Sequence, residues 1–247
     1  AYAILAFSED QPQLINHVVT FPIDGEGVTE YKSAVPFYQT STAGAFADGT
    51  YYVASSRTSG STEVADALYK LDLSSGSYEK VGALTGYSAF VNDMTYDLST
   101  NTMYAISKVD DNSSALMKID TATGRSTKVA TLDQKYFTLA ADLRGQLYAV
   151  SFMGDFCKID KTTGASTVVG HTGFYPESFQ SMEFDHEHGV LYWAATVRVL
   201  NSSGTIEIQE TFIATIDPVT GAATRGMPIG EVQLAGLYVP YTVVADS

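Results

Sequence analysis

The chain repeats a phrase. It reads ALYKLDLSSGSYEKVGAL from Ala67, ALMKIDTATGRSTKVATL from Ala115, DFCKIDKTTGASTVVGHT from Asp155 and TFIATIDPVTGAATRGMPIG from Thr211. Each copy holds an Asp (Asp72, Asp120, Asp160, Asp217) and, four residues on, a Gly (Gly76, Gly124, Gly164, Gly221). Successive glycines lie 48, 40 and 57 residues apart, within or just beyond the range of propeller blades. A unit of that length cannot bury its own apolar face, so the copies must stack on one another. Function is less constrained, because ligand sites on such scaffolds sit in the loops that differ between copies.

Each phrase spells a β-hairpin. Met117 and Ile119 alternate with Leu116 and Lys118, the period of two that a pleated strand requires. The Asp can turn its carboxylate onto nearby backbone N–H groups, and the Gly supplies the positive φ that closes the turn. A second hairpin lies upstream of each: AFADGTYYVASS from Ala45, MTYDLSTNTMYAIS from Met94, LAADLRGQLYAVS from Leu139 and MEFDHEHGVLYWAAT from Met182. Here too an Asp opens the turn (Asp48, Asp97, Asp142, Asp185) and a Tyr follows in the next strand (Tyr52, Tyr104, Tyr148, Tyr192). Two hairpins make one four-stranded antiparallel blade.

Four full units occupy Ala43–Leu84, Asn92–Leu132, Thr138–Gly170 and Ser181–Pro228, and one strand, Gln233–Tyr241, is left over. At the other end Tyr2–Ser8, Leu14–Ile23 and Thr29–Val35 have no such partner. These sum to a fifth blade closed by both ends of the chain, which leaves no long open sheet edge. The expectation is an all-β, five-bladed β-propeller: one domain over residues 1–243, with 244–247 a polar tail or the start of a linker. A β-sandwich of this length does not predict a missing strand at one end matched by a surplus at the other. No window shows sustained helical amphipathicity, so almost no helix is expected. The single cysteine, Cys157, lies between Phe156 and Lys158 and reads as a small core residue.

The formal charge is −14, from 14 Lys and Arg against 28 Asp and Glu. Such a chain repels nucleic acid and anionic membrane surfaces. Tyr2–Phe7 is far too short to span a bilayer, so no membrane insertion is expected. The chain opens at Ala1 without an initiator Met, as expected of a protein whose leader has been removed or of a piece of a longer one. The acidic, Ser/Thr/Tyr-rich, cysteine-poor composition favours an extracellular, cell-surface or periplasmic protein, a monomer or part of a larger surface protein.

The ID-x-x-T-G phrase resembles the repeats of YVTN-type and quinoprotein-type β-propellers, common in exported bacterial proteins. It is unlike WD40 repeats, having no Trp-Asp pair and no Gly-His pair that marks each blade (Gly170-His171 occurs once), and unlike kelch repeats, having no Gly-Gly pair. Quinoprotein repeats continue from the TG into a Trp that docks neighbouring blades. Here those positions hold Ser, Thr and Ala, and the one tryptophan, Trp193, lies in another strand; no quinone or other cofactor is expected. The resemblance implies a secreted or surface-attached binding protein.

Several side chains are weighed for chemistry. The repeated acids read as turn formers, because a catalytic group is needed once and a turn in every blade. His186 and His188 sit in a hairpin turn with no third His nearby and no HExxH, and Asp110-Asp111-Asn112 lacks the spaced calcium-loop pattern; no metal site is expected. Glycoside hydrolysis needs two carboxylates roughly 5 to 10 Å apart. Asp93 and Glu183, near the starts of innermost strands and outside the repeated turns, are the best such pair, and channel-lining groups bonded to neighbouring backbone are their alternative role. No GxSxG elbow, Walker loop or GxGxxG after a strand is present.

The segments joining blades read PFYQTSTAG, LTGYSAFVN, LDQKYFTLA and TGFYPESFQS, each with aromatics; the fifth, GMPIGEVQLAG, has none. Adjacent residues of an extended backbone point opposite ways, so one ring of each pair can reach the surface. Tyr38, Tyr87, Tyr136 and Tyr175 are the expected exposed members, the hydroxyl keeping a partner in water. Asn92, Asp93, Gln180 and Ser181 follow closely enough to add hydrogen bonds. The expected function is a non-catalytic binding module of an exported or cell-surface protein, taking a glycan or protein on the loop face at the channel mouth. A glycoside-processing enzyme using Asp93 and Glu183 is the alternative, and a structural spacer is the third reading.

Overall fold

Both ends of the chain meet in one sheet of the computed structural model, which describes residues 1–23, 32–37, 39–87, 89–200, 203 and 206–241. Val232–Tyr238 is the innermost strand of blade 1, followed outward by Tyr2–Ser8, Val18–Thr20 and Lys32–Val35. Tyr2 pairs with Tyr238 and Ser8 with Val232, antiparallel. The other four blades each run outward in chain order. Blade 2 comprises Ser41–Ala47, Thr50–Ser59, Thr62–Leu71 and Tyr78–Ala83; blade 3, Val91–Asp97, Thr102–Lys108, Ser114–Ile119 and Ser126–Leu132. Blade 4 comprises Tyr136–Ala141, Leu147–Ser151, Asp155–Ile159 and Ser166–His171; blade 5, Ser181–Asp185, Val190–Leu200, Ile206–Ile216 and Ala223–Pro228. The two-residue strand Tyr175–Pro176 adds to the upper end of Val190–Leu200. This is the expected five-bladed propeller.

Some boundaries differ. The expected strand Leu14–Ile23 is a 3-10 turn, Pro12–Leu14, followed by the short strand Val18–Thr20. Pro12 sets φ for a turn and has no N–H for a ladder. The closing strand begins one residue earlier than expected and ends at Tyr238. Of the expected strand Thr29–Val35, residues 29–31 lie outside the described residues, as does the tail at 244–247.

A blade has neighbours on both faces, which is why its strands do not show the clean alternation of a one-sided sheet. Leu116, Met117 and Ile119 are all buried, to opposite sides of blade 3. The core is accordingly a ring of clusters, each filling the gap between adjacent blades. Cys157 is buried in the one between blades 3 and 4, and Trp193 in the one between blades 4 and 5. The turns joining the first two and the last two strands of each blade lie on one face, here the lower. The loops between second and third strands, and the inter-blade connections, lie on the upper or loop face.

Candidate functional site

The hub is closed by hydrogen bonds. Asp93, fully buried, accepts from the N–H groups of Met94 (3.0 Å), Leu139 (2.9 Å) and Met182 (3.3 Å) and from Ser181 Oγ (2.9 Å). One carboxyl therefore ties blade 3 to blades 4 and 5. Ser181 Oγ in turn accepts from Leu237 N at 2.9 Å, extending the tie to blade 1. Thr95 Oγ1 accepts from Ala141 N at 3.0 Å. Tyr51 enters the hub from the second strand of blade 2 and donates its hydroxyl to Gly236 O. Only glycines permit this: a Cβ at Gly44 would stand 2.7 Å from the Tyr51 hydroxyl oxygen, and one at Gly236 2.6 Å.

Glu183 is buried in the same hub, as expected of a channel-facing residue, but among the described residues it accepts one backbone bond, from Phe184 N at 2.8 Å. Burial pushes both carboxyls well above the usual range; donors oppose this at both, and the charge of Asp93 adds to it at Glu183. Four donors converge on Asp93 and one on Glu183, so Glu183 is the member that holds a proton first. The lower mouth is lined by rings. His186 Nε2 lies 3.8 Å from Glu183 Oε1, Tyr241 meets the His186 ring edge-on at 4.9 Å, Phe46 stacks on Tyr238 at 4.1 Å, and Tyr96 donates to Asp48 Oδ2 at 2.9 Å. Asp93 and Glu183 thus do come together at the axis, within a packed interior rather than at an open rim.

The repeated acids hold their own turns. Asp120 Oδ1 accepts from Ala122 N at 2.9 Å and Oδ2 from Thr123 Oγ1 at 2.8 Å, Asp217 does the same with Val219 N and Thr220 Oγ1, and Asp160 Oδ1 accepts from Thr162 N and Thr163 N. Hydrogen bonds from Ser74 and Ser75 hold Asp72 down to about 2. Asp97 is opposed by burial, yet Lys161, Ser99 and Thr100 also bring it to about 2. Lys161 reaches Asp97 from blade 4, so this turn also bridges blades. In the His-containing turn, Asp185 accepts from His188 Nδ1 at 2.7 Å, while burial lowers the pKa of His186. Among the described residues no three His, Cys, Asp or Glu side chains group as metal ligands.

The expected aromatic rim requires correction. Tyr136 is 0% exposed, packed among Leu139, Leu116 and Leu132 between blades 3 and 4, and its neighbour Phe137 is only 7% exposed. Both rings are buried because they begin the innermost strand Tyr136–Ala141, which is buried along its whole length, so alternation exposes neither. Tyr87 packs on the cluster between blades 2 and 3, its hydroxyl is buried, and burial pushes it up to about 12. Tyr175 is half-buried beside His171 and Arg198. Tyr38 lies outside the described residues. Neither Tyr136 nor the Tyr87 hydroxyl is available to a ligand.

The polar residues assigned to that rim are committed too. Asn92 Oδ1 accepts from Lys108 N at 3.0 Å. Gln180, buried, accepts from Trp193 Nε1 at 2.8 Å and donates to Glu177 O and Thr196 O. Ser181 and Asp93 belong to the hub. A side chain next to an inter-blade connection is needed to satisfy backbone groups there, and these four do so.

The loop face does carry a concavity, at the one connection that has no aromatic residue. A groove of about 700 Å³ runs between blades 5 and 1, lined by Phe7, Gln209, Glu210, Arg225, Glu231 and Gln233 among others. Phe7 is 40% exposed. Arg225 is paired with Glu210 at 2.5 Å and lies over the Phe212 ring at 4.9 Å. Gln233 donates to Gln209 Oε1 at 3.4 Å. A hydrogen bond shared with Glu9, and its like charge, raise the pKa of Glu231. An exposed ring beside two amides and paired charges can receive an apolar face and hydroxyl groups together. The aromatic criterion pointed away from this connection; its signal lay in Phe7, at the solvent end of the second strand of blade 1.

No protein-family model matches the chain, and no curated protein does. Among solved structures it is similar to a protein of unknown function from Bacteroides thetaiotaomicron, at 12% identity and a TM-score of 0.51, over 75% of this chain and 42% of that one. It is also similar to TolB from Acinetobacter baumannii, at 13% identity and a TM-score of 0.48, over 96% of this chain and 66% of TolB. The chain thus spans less than half the length of the Bacteroides protein. At these identities the likeness extends to the fold alone.

Proposed function

We propose that this chain is a non-catalytic binding module of an exported or cell-surface protein, and that it takes a glycan in the loop-face groove between blades 5 and 1. The observation that carries this reading is the groove itself: about 700 Å³ of open space lined by a part-exposed ring and two amides. Sugar rings present C–H faces that stack on aromatic rings, and hydroxyls that bond to amides and carboxylates. Glu183 and Asp93 favour no hydrolytic reading, because their oxygens serve backbone groups inside the hub. The acidic composition and the resemblance of the repeat to exported bacterial propellers support the cellular setting.

The test is a glycan array probed with the wild-type protein, Phe7→Ala and Gln233→Ala, alongside a reducing-sugar assay on the same polysaccharides. Binding by the wild type, weakened in both variants, without release of reducing sugar, is the expected result. No binding across the array, or turnover of any substrate, overturns the reading.

A further inference from the structure

We infer that the loop face carries a second site, between blades 4 and 5, that takes the carboxylate of an acidic sugar on Lys135 and Arg198. This rests on the reading of the loop face as a glycan-binding surface, but on different residues from those of the groove.

The site begins with a step in the fold. The second and third strands of blade 4, Leu147–Ser151 and Asp155–Ile159, have five residues each, whereas those of blade 5 have eleven each. Blade 5 therefore rises above blade 4 on the loop face, and Arg198 reaches from it onto the short loop at Phe152. Its guanidinium carbon lies 3.9 Å from the centre of the Phe152 ring and 5.7 Å from that of Tyr175. From the inter-blade connection, Lys135 places its ammonium 4.8 Å from the Phe152 ring centre and 5.0 Å from that of Phe137. Two cations thus converge on one aromatic ring.

In a chain of charge −14 this patch is of opposite sign. Lys108 and Arg198 act on Lys135 together with Asp111 and Glu177, three cations against two carboxylates. The acids are taken by the other two cations: Asp111 pairs with Lys108 at 2.6 Å and Glu177 with Arg198 at 3.7 Å. Lys135 is in no ion pair among the described residues. Burial and the two neighbouring cations lower its pKa, a shift that an anion beside it would oppose. Arg198, whose side chain is only 12% exposed, donates to Phe152 O at 3.2 Å, but its Nε is buried without a partner. A half-desolvated ammonium and an incompletely used guanidinium make an anion site.

The ligand class follows from charge and shape. The patch has an excess of one positive charge, which one carboxylate balances. A guanidinium fork fits the planar carboxylate. Highly charged polymers are repelled by the rest of the molecule. The apolar surface beside the cations, with Met153 at 54% exposed and the half-buried rings of Phe152 and Tyr175, offers contact to the C–H groups of a sugar ring.

The experiment titrates the intact protein with sodium D-glucuronate, sodium acetate and methyl glucoside at low ionic strength, following backbone and Phe side-chain NMR shifts. Glucuronate is expected to give saturable shifts centred on Phe152 and Lys135, tighter than acetate, with none there from methyl glucoside. Lys135→Met, which keeps an apolar stem over the rings, should weaken glucuronate binding by at least about tenfold, as loss of one charge-assisted hydrogen bond implies, and Lys135→Arg should restore it. The inference is overturned if glucuronate gives no saturable shift at these residues, if Lys135→Met binds it as the wild type does, or if acetate binds equally well. Glycan-array binding that depends on Phe7 but not on Lys135 would likewise sink this site while leaving the groove in place.

Discussion

Gly124, in the last turn of blade 3, rests on Gly82 in the outer strand of blade 2: a Cβ on Gly124 would stand 3.0 Å from the Gly82 carbonyl carbon. The pattern recurs. Gly76 of blade 2 lies over the Ala34 carbonyl of blade 1, Gly164 of blade 4 over Ala130 of blade 3, and Gly221 of blade 5 over Gly170 of blade 4. Each repeated phrase is therefore a joint as well as a hairpin. Its Gly, with φ between 72° and 77° at these four positions, closes the turn and lets that turn press on the neighbouring blade.

The joint sets the sign of a substitution. Valine has the higher strand propensity, so Gly82→Val or Gly170→Val would be stabilising if only the strand mattered. A Cβ at Gly82, however, collides with the Thr123 carbonyl, and one at Gly170 with that of Thr220. Backbone on the far side of a packed joint yields little. Each variant should lose about 3 kcal/mol, the upper range for overpacking, in urea unfolding. A midpoint at or above that of the wild type would show the joints to be loose.

How legible this was depends on the physics of each level. Blade number and strand order could be read because hairpin turns need Asp and Gly locally, and the surplus strand at one end answers the deficit at the other. The turn role of Asp72 and its counterparts followed from the same local chemistry. The rim at Tyr87 and Tyr136 failed because exposure is settled by the neighbouring blade: alternation says which way a ring points along its own strand, not what stands there. The network at Asp93 joins residues 46 and 89 positions away, beyond any local pattern. Lys135 and Arg198, from different blades, have no sequence spacing to mark them.

Asp93→Asn tests the hub. An amide keeps the shape, but its NH₂ must face two of the four donors that now bond the carboxyl oxygens. Donor then faces donor in a buried site. The expected loss is about 3 kcal/mol, the cost of leaving buried polar groups unmade, again by urea unfolding. Stability equal to the wild type would mean that the hub does not depend on these bonds.

Glu183→Gln should act the other way. With its folded pKa raised by burial, Glu183 contributes its full stability below the ordinary glutamate value of about 4.3. Above that value the unfolded chain releases the proton while the folded one retains it, so stability falls until pH passes the raised folded pKa. Glutamine keeps the bond from Phe184 N and cannot ionise. The variant should lose part of the wild-type decline in stability above pH 4.3, and be the more stable protein at pH 8. Melting curves at pH 4 to 9 check this; parallel profiles for the two proteins would refute it.

The closure between the chain ends makes the last prediction. Val232–Tyr238 bonds to Tyr2–Ser8 along its length, supplies Leu237 N to Ser181 and Gly236 O to Tyr51, and leads to Tyr241 beside His186. Removing residues 233–247 would strip blade 1 of its innermost strand, leave the Tyr51 hydroxyl buried without its acceptor, and expose the inner edge of Tyr2–Ser8. A buried donor without a partner and an open strand edge each oppose a single cooperative fold. The truncated chain should therefore unfold without one sharp transition, or aggregate, whereas the full chain melts as a unit. Calorimetry on both decides it. A truncated protein with the same sharp transition as the full chain would mean that four blades can close without the fifth, and that the terminal strand is an accessory to this propeller.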